Sequence, residues 1–169
     1  MISPIPSVFF DIFLLLEGNY QPMRKEVIDT CKKKHTAFQS VESWQQIETG
    51  TGYFCDFCKI GENIIYTTGE TDSREFCANT FFSHLDKFIK DQDVQTPYVI
   101  IRDLRNASGM PRAEARQAQK EHLYNRIHQI RGCIFISKNF LVKNLLNVAA
   151  RQYQHLIWVE AFGSFDKAL

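Results

Sequence analysis

The sequence predicts an α/β domain in which a mixed, open sheet of about five strands is covered by helices and preceded by an N-terminal helical extension. Three observations lead to this fold class. Two short strand-like segments lie close together after residue 52, three apolar runs follow with helical spacing between them, and the final residues are again helical. Because parallel strands need crossover connections, which helices supply, the predicted element order is ββαβαβαβα.

Length and composition fit one folded domain with an extension. The chain has 169 residues, of which 44% are hydrophobic and 23% are charged. These fractions are ordinary for a globular protein, and a single core of this size buries most of its apolar surface. The net charge of +1 provides no field that would attract a polyanion, so nucleic-acid binding is not expected.

The first fifty residues differ in pattern from the rest. The apolar stretch 8–16 is interrupted by a charge and is shorter than the roughly 20 residues that a membrane span needs, so no span is expected. Further apolar residues then recur at helical spacing: Val27, Ile28, Cys31, Phe38, Val41, Trp44 and Ile47. This spacing predicts one or two amphipathic helices. We therefore divide the chain into a helical extension, residues 1–50, which docks or self-associates, and an α/β domain, residues 51–169.

The α/β domain begins with a predicted hairpin and a helix. Residues 53–59 alternate like a half-buried strand, residues 64–68 are rich in β-branched and aromatic side chains, and residues 61–63 supply turn chemistry. Asp72 is predicted to cap the following helix, with Glu75 three residues later as in a capping box. The apolar face of that helix comprises Phe76, Thr80, Phe81, Leu85, Phe88 and Ile89.

Three continuous apolar runs predict strands that are buried on both faces. The runs are residues 98–101, 133–136 and 156–159. Helical spacing over residues 111–130 and 139–153 predicts the two crossover helices between them, and residues 164–169 form a last helix that covers the sheet. Strands buried on both faces are typical of a parallel sheet with helices on each side.

Four stretches carry a resemblance to a known family: residues 57–66, 97–104, 109–116 and 165–169. Together with the element order they resemble the STAS fold of anti-sigma factor antagonists, and in particular the STAS-like regions that precede PAS and histidine-kinase modules in bacterial sensor proteins. The resemblance implies a non-catalytic, cytoplasmic regulatory or sensory domain in bacterial signal transduction. Its expected partner is a signalling kinase or regulator, or a second copy of the chain.

The sequence differs from the family pattern at one informative position. In phosphorylatable STAS domains, the strand that matches Asp103 and Leu104 is followed by an Asp-Ser pair at the start of the next helix. The corresponding residues 110–113 contain no hydroxyl group, although Ser108 lies just upstream. A phosphorylation switch of the family type is therefore not expected.

The candidate site is the predicted loop after the third strand, together with the start of the next helix. Its residues are Asp103, Arg105, Asn106, Ser108, Arg112 and Arg116. Ligands of open α/β sheets gather beyond the carboxyl ends of parallel strands, where the next helix presents unpaired N–H groups. We predict that this surface contacts a protein partner, or alternatively that it holds a small anionic ligand. In a third interpretation, Asp103 and Ser108 only bond the loop backbone, and Pro111 starts the helix.

The sequence carries no pattern typical of catalysis or metal binding. Cys55 and Cys58 have the spacing of half a zinc site, but residues three apart in a strand point to opposite faces. The histidines lack the spacing that places two ligands on one helical face, and Ser137 lacks a nucleophile-elbow context. We predict no enzyme, metal or cofactor, although active-site residues can be scattered through a sequence. Five cysteines without a secretory signal favour a reducing, cytoplasmic setting.

Overall fold

The fold is built on one mixed sheet. The structure is a computed structural model that describes residues 24–140, 142–144, 147 and 157–169. The strands are β1 (Phe38–Ser40), β2 (Ile47–Glu48), β3 (Phe54–Cys55), β4 (Phe57–Ile60), β5 (Ile64–Asp72), β6 (Tyr98–Ser108), β7 (Ile130–Ile136) and β8 (Trp158–Phe162). The helices are α1 (24–33), α2 (Ala78–Asp91), α3 (Ala113–Asn125), α4 (140, 142–144 and 147) and α5 (Phe165–Ala168).

The sheet has the order β1-β4-β5-β6-β7-β8, with β2 paired to β3 and β3 to β5. β4 and β5 form the predicted antiparallel hairpin, and Gly61 in its turn has a φ of 60°, which glycine adopts without strain. From β5 to β8 all neighbouring strands are parallel. The predicted α/β class and the predicted crossover order are therefore confirmed, and the short strands β1, β2 and β3 extend the predicted sheet of about five strands to eight.

The sheet separates two apolar cores. The first core lies on the side of α2 and α3 and includes Trp44, Tyr53, Cys55, Phe57, Phe76, Phe81, Phe82, Leu85, Phe88, Tyr98, Ile100, Cys133 and Phe135. The second core lies on the side of α1 and α5 and includes Val27, Cys31, Cys58, Ile60, Tyr66, Ile101, Ile134, Ile136, Phe165 and Ala168. Cys55 and Cys58 thus lie in different cores, as their spacing predicted, and all five cysteines are free.

Within the described residues 24–50 of the predicted N-terminal extension, α1 is the only α-helix. Residues 24–33 form α1, but the chain then enters β1, a short 3-10 turn and β2. The helical interpretation beyond residue 33 is wrong, because β1 pairs with β4 and Trp44 packs edge-on against Phe57 and Phe88 in the first core. The predicted boundary at residue 50 falls between β2 and β3, two paired strands of this sheet. Residues 1–23, with the apolar stretch 8–16, lie outside the described residues.

Several predicted boundaries also move. Asp72 caps a 3-10 turn (Ser73–Glu75) by accepting a bond from the Arg74 amide, and α2 begins later, after Cys77. α3 is shorter than the predicted helix 111–130. Most of the predicted helix 139–153 lies outside the described residues. Trp158 in the third apolar run is 49% exposed, because β8 ends the order of described strands. None of the described helices is long and apolar enough to cross a membrane.

Candidate functional site

The predicted loop after the third strand is instead the second half of β6. Asp103, Arg105, Asn106 and Ser108 all lie in this strand, which extends seven residues beyond the apolar run because its pairing with β5 continues to Ser108. A bulge interrupts the register between β5 and β6 on the way. Since side chains alternate along a strand, the predicted residues are divided between the two faces of the sheet.

Asp103 and Arg105 lie on the second-core face and form a buried ion pair. Asp103 is fully buried; it accepts a bond from the Tyr66 hydroxyl at 2.8 Å and one from Arg105 Nη2 at 2.6 Å. Arg105, whose side chain is 5% exposed, also donates to Glu26 of α1 at 2.5 Å. This network connects α1 to the central strand β6. Because Asp103 and Arg105 bond to other side chains of the fold, we assign this ion pair a structural role.

The remaining predicted residues take no part in this network. Ser108 donates to the Thr71 carbonyl at 3.5 Å, and Arg112 forms an exposed ion pair with Glu75 at 2.8 Å. Arg116, on the first turn of α3, donates to the Pro111 carbonyl at 3.4 Å. Asn106 lies in β6 opposite Glu70. Of the six predicted residues, Ser108 and Arg116 reach a common cavity.

The cavity has a volume of about 370 Å³ and lies beyond the carboxyl ends of β6 and β7. Its walls come from the ends of these strands and from the starts of α3 and α4. Apolar side chains line much of it, including Leu104, Phe135 and Val142, and Ser137 adds a hydroxyl group. The position agrees with the general rule that ligands of open α/β sheets bind at this end of the strands. The volume is within the range of small-molecule sites.

Arg102 is the unexpected residue of this cavity. It lies on the first-core face of β6, it is 5% exposed, and its guanidinium carbon lies 4.5 Å from the Phe76 ring centre and 4.3 Å from that of Phe81. The Cys55 thiol lies near this guanidinium, whose positive charge acts to lower the pKa of the thiol. The Nε of Arg102 is buried and has no hydrogen-bond partner among the described residues. None of the ion pairs among the described residues involves Arg102.

The titratable neighbours of Arg102 do not balance its charge. Burial raises the pKa of Tyr53 to about 12 and that of Cys133 to about 12, although the positive charge of Arg102 opposes both shifts. Burial also raises the pKa of Cys55. All three groups are therefore neutral near pH 7. The cavity thus contains a buried cation that forms no ion pair with any residue the structure describes.

Arg102 was not among the predicted site residues, because the site was predicted in the polar residues beyond the strand. A signal was available, since Tyr98, Ile100 and Arg102 occupy alternate positions and so share one face. A charged residue that continues the buried face of an apolar strand is unusual, because burying a charge is costly unless it is paired. Within the part of the chain that the structure describes, no group of three or more His, Cys, Asp or Glu side chains could hold a metal ion.

Comparison with known proteins supports the fold. No family model and no curated protein matches the chain. A solved structure does match: an uncharacterised protein of the DUF3478 family from Shewanella loihica PV-4, described as having a SpoIIAA-like fold. The two share 9% sequence identity with a TM-score of 0.50, and the match covers 72% of this chain and 96% of that one. The chain therefore has a SpoIIAA-like, that is STAS-like, fold, as its resemblance to anti-sigma factor antagonists implied.

Proposed function

We propose that this protein is a non-enzymatic regulatory domain that binds a small molecule in the cavity beyond β6 and β7. The observation that carries the proposal is the cavity itself, with an uncompensated buried Arg102 in its wall. A cation without an ionic partner is costly to maintain in a core, so its presence is better explained by a ligand than by stability. Small-ligand binding was the alternative prediction from the sequence.

The rim of the cavity supports a link between ligand binding and protein contact. The cavity is lined by residues 108–111 and Arg116. Met110 in this range is also 40% exposed to solvent, and the neighbouring Arg112 forms its ion pair at the surface. α3, which begins at this rim, contains no fully buried residue. A ligand that fills the cavity would therefore change the packing of α3 and of the adjoining surface.

A protein partner at this surface is the second part of the proposal. The STAS-like fold is consistent with regulation through protein contacts. A bacterial signalling kinase or regulator, a second copy of the chain, and a cytoplasmic setting remain predictions from the sequence. Arg112→Glu reverses the charge of the rim, and it should weaken capture of a partner from host extracts. Unchanged capture of every partner would contradict this surface.

A cavity-filling variant tests ligand binding. Ala107→Leu places extra methyl groups at a lining position, whereas Ala113→Leu makes the same change at an exposed position on α3 outside the cavity. Thermal unfolding of each protein is measured against a library of small metabolites. Because a ligand that binds only the native state raises its stability, library hits should stabilise the wild type and Ala113→Leu but not Ala107→Leu. Equal stabilisation of both variants, or a library without hits, would contradict the proposal.

A further inference from the structure

We infer that the ligand of this cavity is an organic monocarboxylate with an apolar body, and that its carboxylate pairs with Arg102. The inference rests on the proposed function and specifies the chemical class of the ligand. It follows from three features: a buried guanidinium in no ion pair with a described residue, a single positive charge in the buried part of the cavity, and apolar walls. Each feature restricts the ligand in a different way.

The buried guanidinium of Arg102 defines the head group. The Phe76 and Phe81 rings cover guanidinium surface, and the ring faces partly offset its lost hydration. They accept no in-plane hydrogen bond, and Nε remains without a partner in a buried position. Guanidinium donors lie in the plane of the group and match the two oxygens of a carboxylate. An anionic oxygen placed beside Arg102 in the cavity would compensate its charge.

The count of charges favours a monoanion. Arg102 is the buried cation of the cavity, whereas Arg116 at the rim is exposed to solvent. Tyr53, Cys55 and Cys133 are neutral near pH 7, so they neither repel nor balance an anion. A carboxylate brings one negative charge to one positive charge. A phosphate monoester would bring up to two, and its excess charge would remain in apolar surroundings, where an unpaired charge is costly.

The walls define the rest of the ligand. Leu104, Phe135 and Val142 present apolar surface beyond Arg102, and Ser137 and Ser108 add the few polar groups. Small-molecule sites typically combine apolar walls with a small number of placed polar groups. A ligand of this class would place an aliphatic or aromatic body against these walls. Short, fully polar acids would leave the apolar surface unfilled and should bind more weakly.

Matched acid and amide probes test the inference on the unaltered full chain. The probes are 2-naphthoate, 2-naphthamide and 2-naphthyl phosphate, with acetate as a head group without an apolar body. Binding is followed by nuclear magnetic resonance titration of the backbone amides. We expect 2-naphthoate to bind at least ten times more tightly than each of the other three, and to shift the amides of β6, β7 and the start of α3.

Two variants localise the head group. Arg102→Met should abolish the preference for acid over amide, and Arg131→Gln, which removes an exposed arginine of β7 outside the cavity, should leave it unchanged. Equal binding of acid and amide to the wild type would overturn the inference but not the proposed cavity, and this comparison does not depend on the folding of Arg102→Met. Tighter binding of the phosphate, or no binding of the acid, would also overturn it. A neutral hit in the metabolite library would then still support the proposed function.

Discussion

Asp56 is predicted to make this protein less stable as the pH rises. The side chain is 1% exposed and lies between β3 and β4. One carboxylate oxygen accepts a bond from the Gln46 amide at 2.8 Å, whereas the other is buried and has no partner in the described part of the chain. Burial raises the pKa of Asp56 from its ordinary value of 3.8 to about 6, against the Gln46 bond, and the charge of Glu70 adds to the rise.

The sign and size of the effect follow from this shift. A carboxyl group with a raised pKa holds its proton more tightly in the folded state, so the folded protein is favoured below pH 4 and loses that advantage as the pH rises through 6. A shift of about two units corresponds to about 3 kcal/mol. Asp56→Asn cannot ionise and keeps an oxygen for the Gln46 amide. The variant should therefore be more stable than the wild type by about 2 to 3 kcal/mol at pH 7.5.

Urea denaturation at several pH values provides the measurement. The quantity is the difference in free energy of unfolding between Asp56→Asn and the wild type, because this difference cancels the contributions of other titrating groups. It should be near zero at pH 4 and should increase up to about pH 7. Asp91→Asn, at an exposed position at the end of α2, is the matched control and should show no such increase. A difference that is independent of pH, or a variant less stable at pH 7.5, would refute the reasoning.

Further predictions concern the packing of the sheet. Tyr66→Phe removes the hydroxyl that donates to buried Asp103. The free energy of unfolding, measured by urea denaturation, should fall by about 1 to 3 kcal/mol, because a buried carboxylate oxygen loses a hydrogen bond. An unchanged free energy of unfolding would show that water replaces the hydroxyl. Gly50→Ala should prevent stable folding, since its Cβ would overlap the Glu75 carbonyl oxygen, whereas Gly163→Ala meets open space and should unfold at the wild-type temperature in a thermal melt. Removal of the chain before β3 deletes β1 and part of both cores, so circular dichroism should show loss of cooperative unfolding; a cooperative transition would support a boundary at that point.

The centre of the sheet could be predicted from sequence because its signal is local. Tyr98, Ile100 and Ile101 lie in one run that is apolar on both faces, and such a run has few alternatives to a buried parallel strand. The hairpin was equally predictable, since its turn carries Gly61 between two β-rich segments. In each case the residues that define the element are adjacent along the chain.

The remaining features depend on partners that are distant in sequence. β1 has only three residues and exists because β4 offers it hydrogen bonds, so the helical spacing around Trp44 was misleading. The second half of β6 is polar, and its pairing with β5 across a bulge makes it a strand. The cavity also required three-dimensional information. Arg102 follows an apolar run directly, and only the fold shows that it is buried without an ionic partner.

Two adjacent residues of β6, Arg102 and Asp103, carry opposite charges, and these charges disfavour a shifted register of the central strand. Arg102 faces the phenyl rings of the first core, and Asp103 faces Tyr66 and Arg105 on the other side. A slip of one residue would exchange the two faces of the whole strand. It would press a carboxylate against the electron-rich ring faces and separate Arg105 from Glu26. The two charges therefore disfavour any sheet in which β6 is shifted by one residue relative to its neighbours.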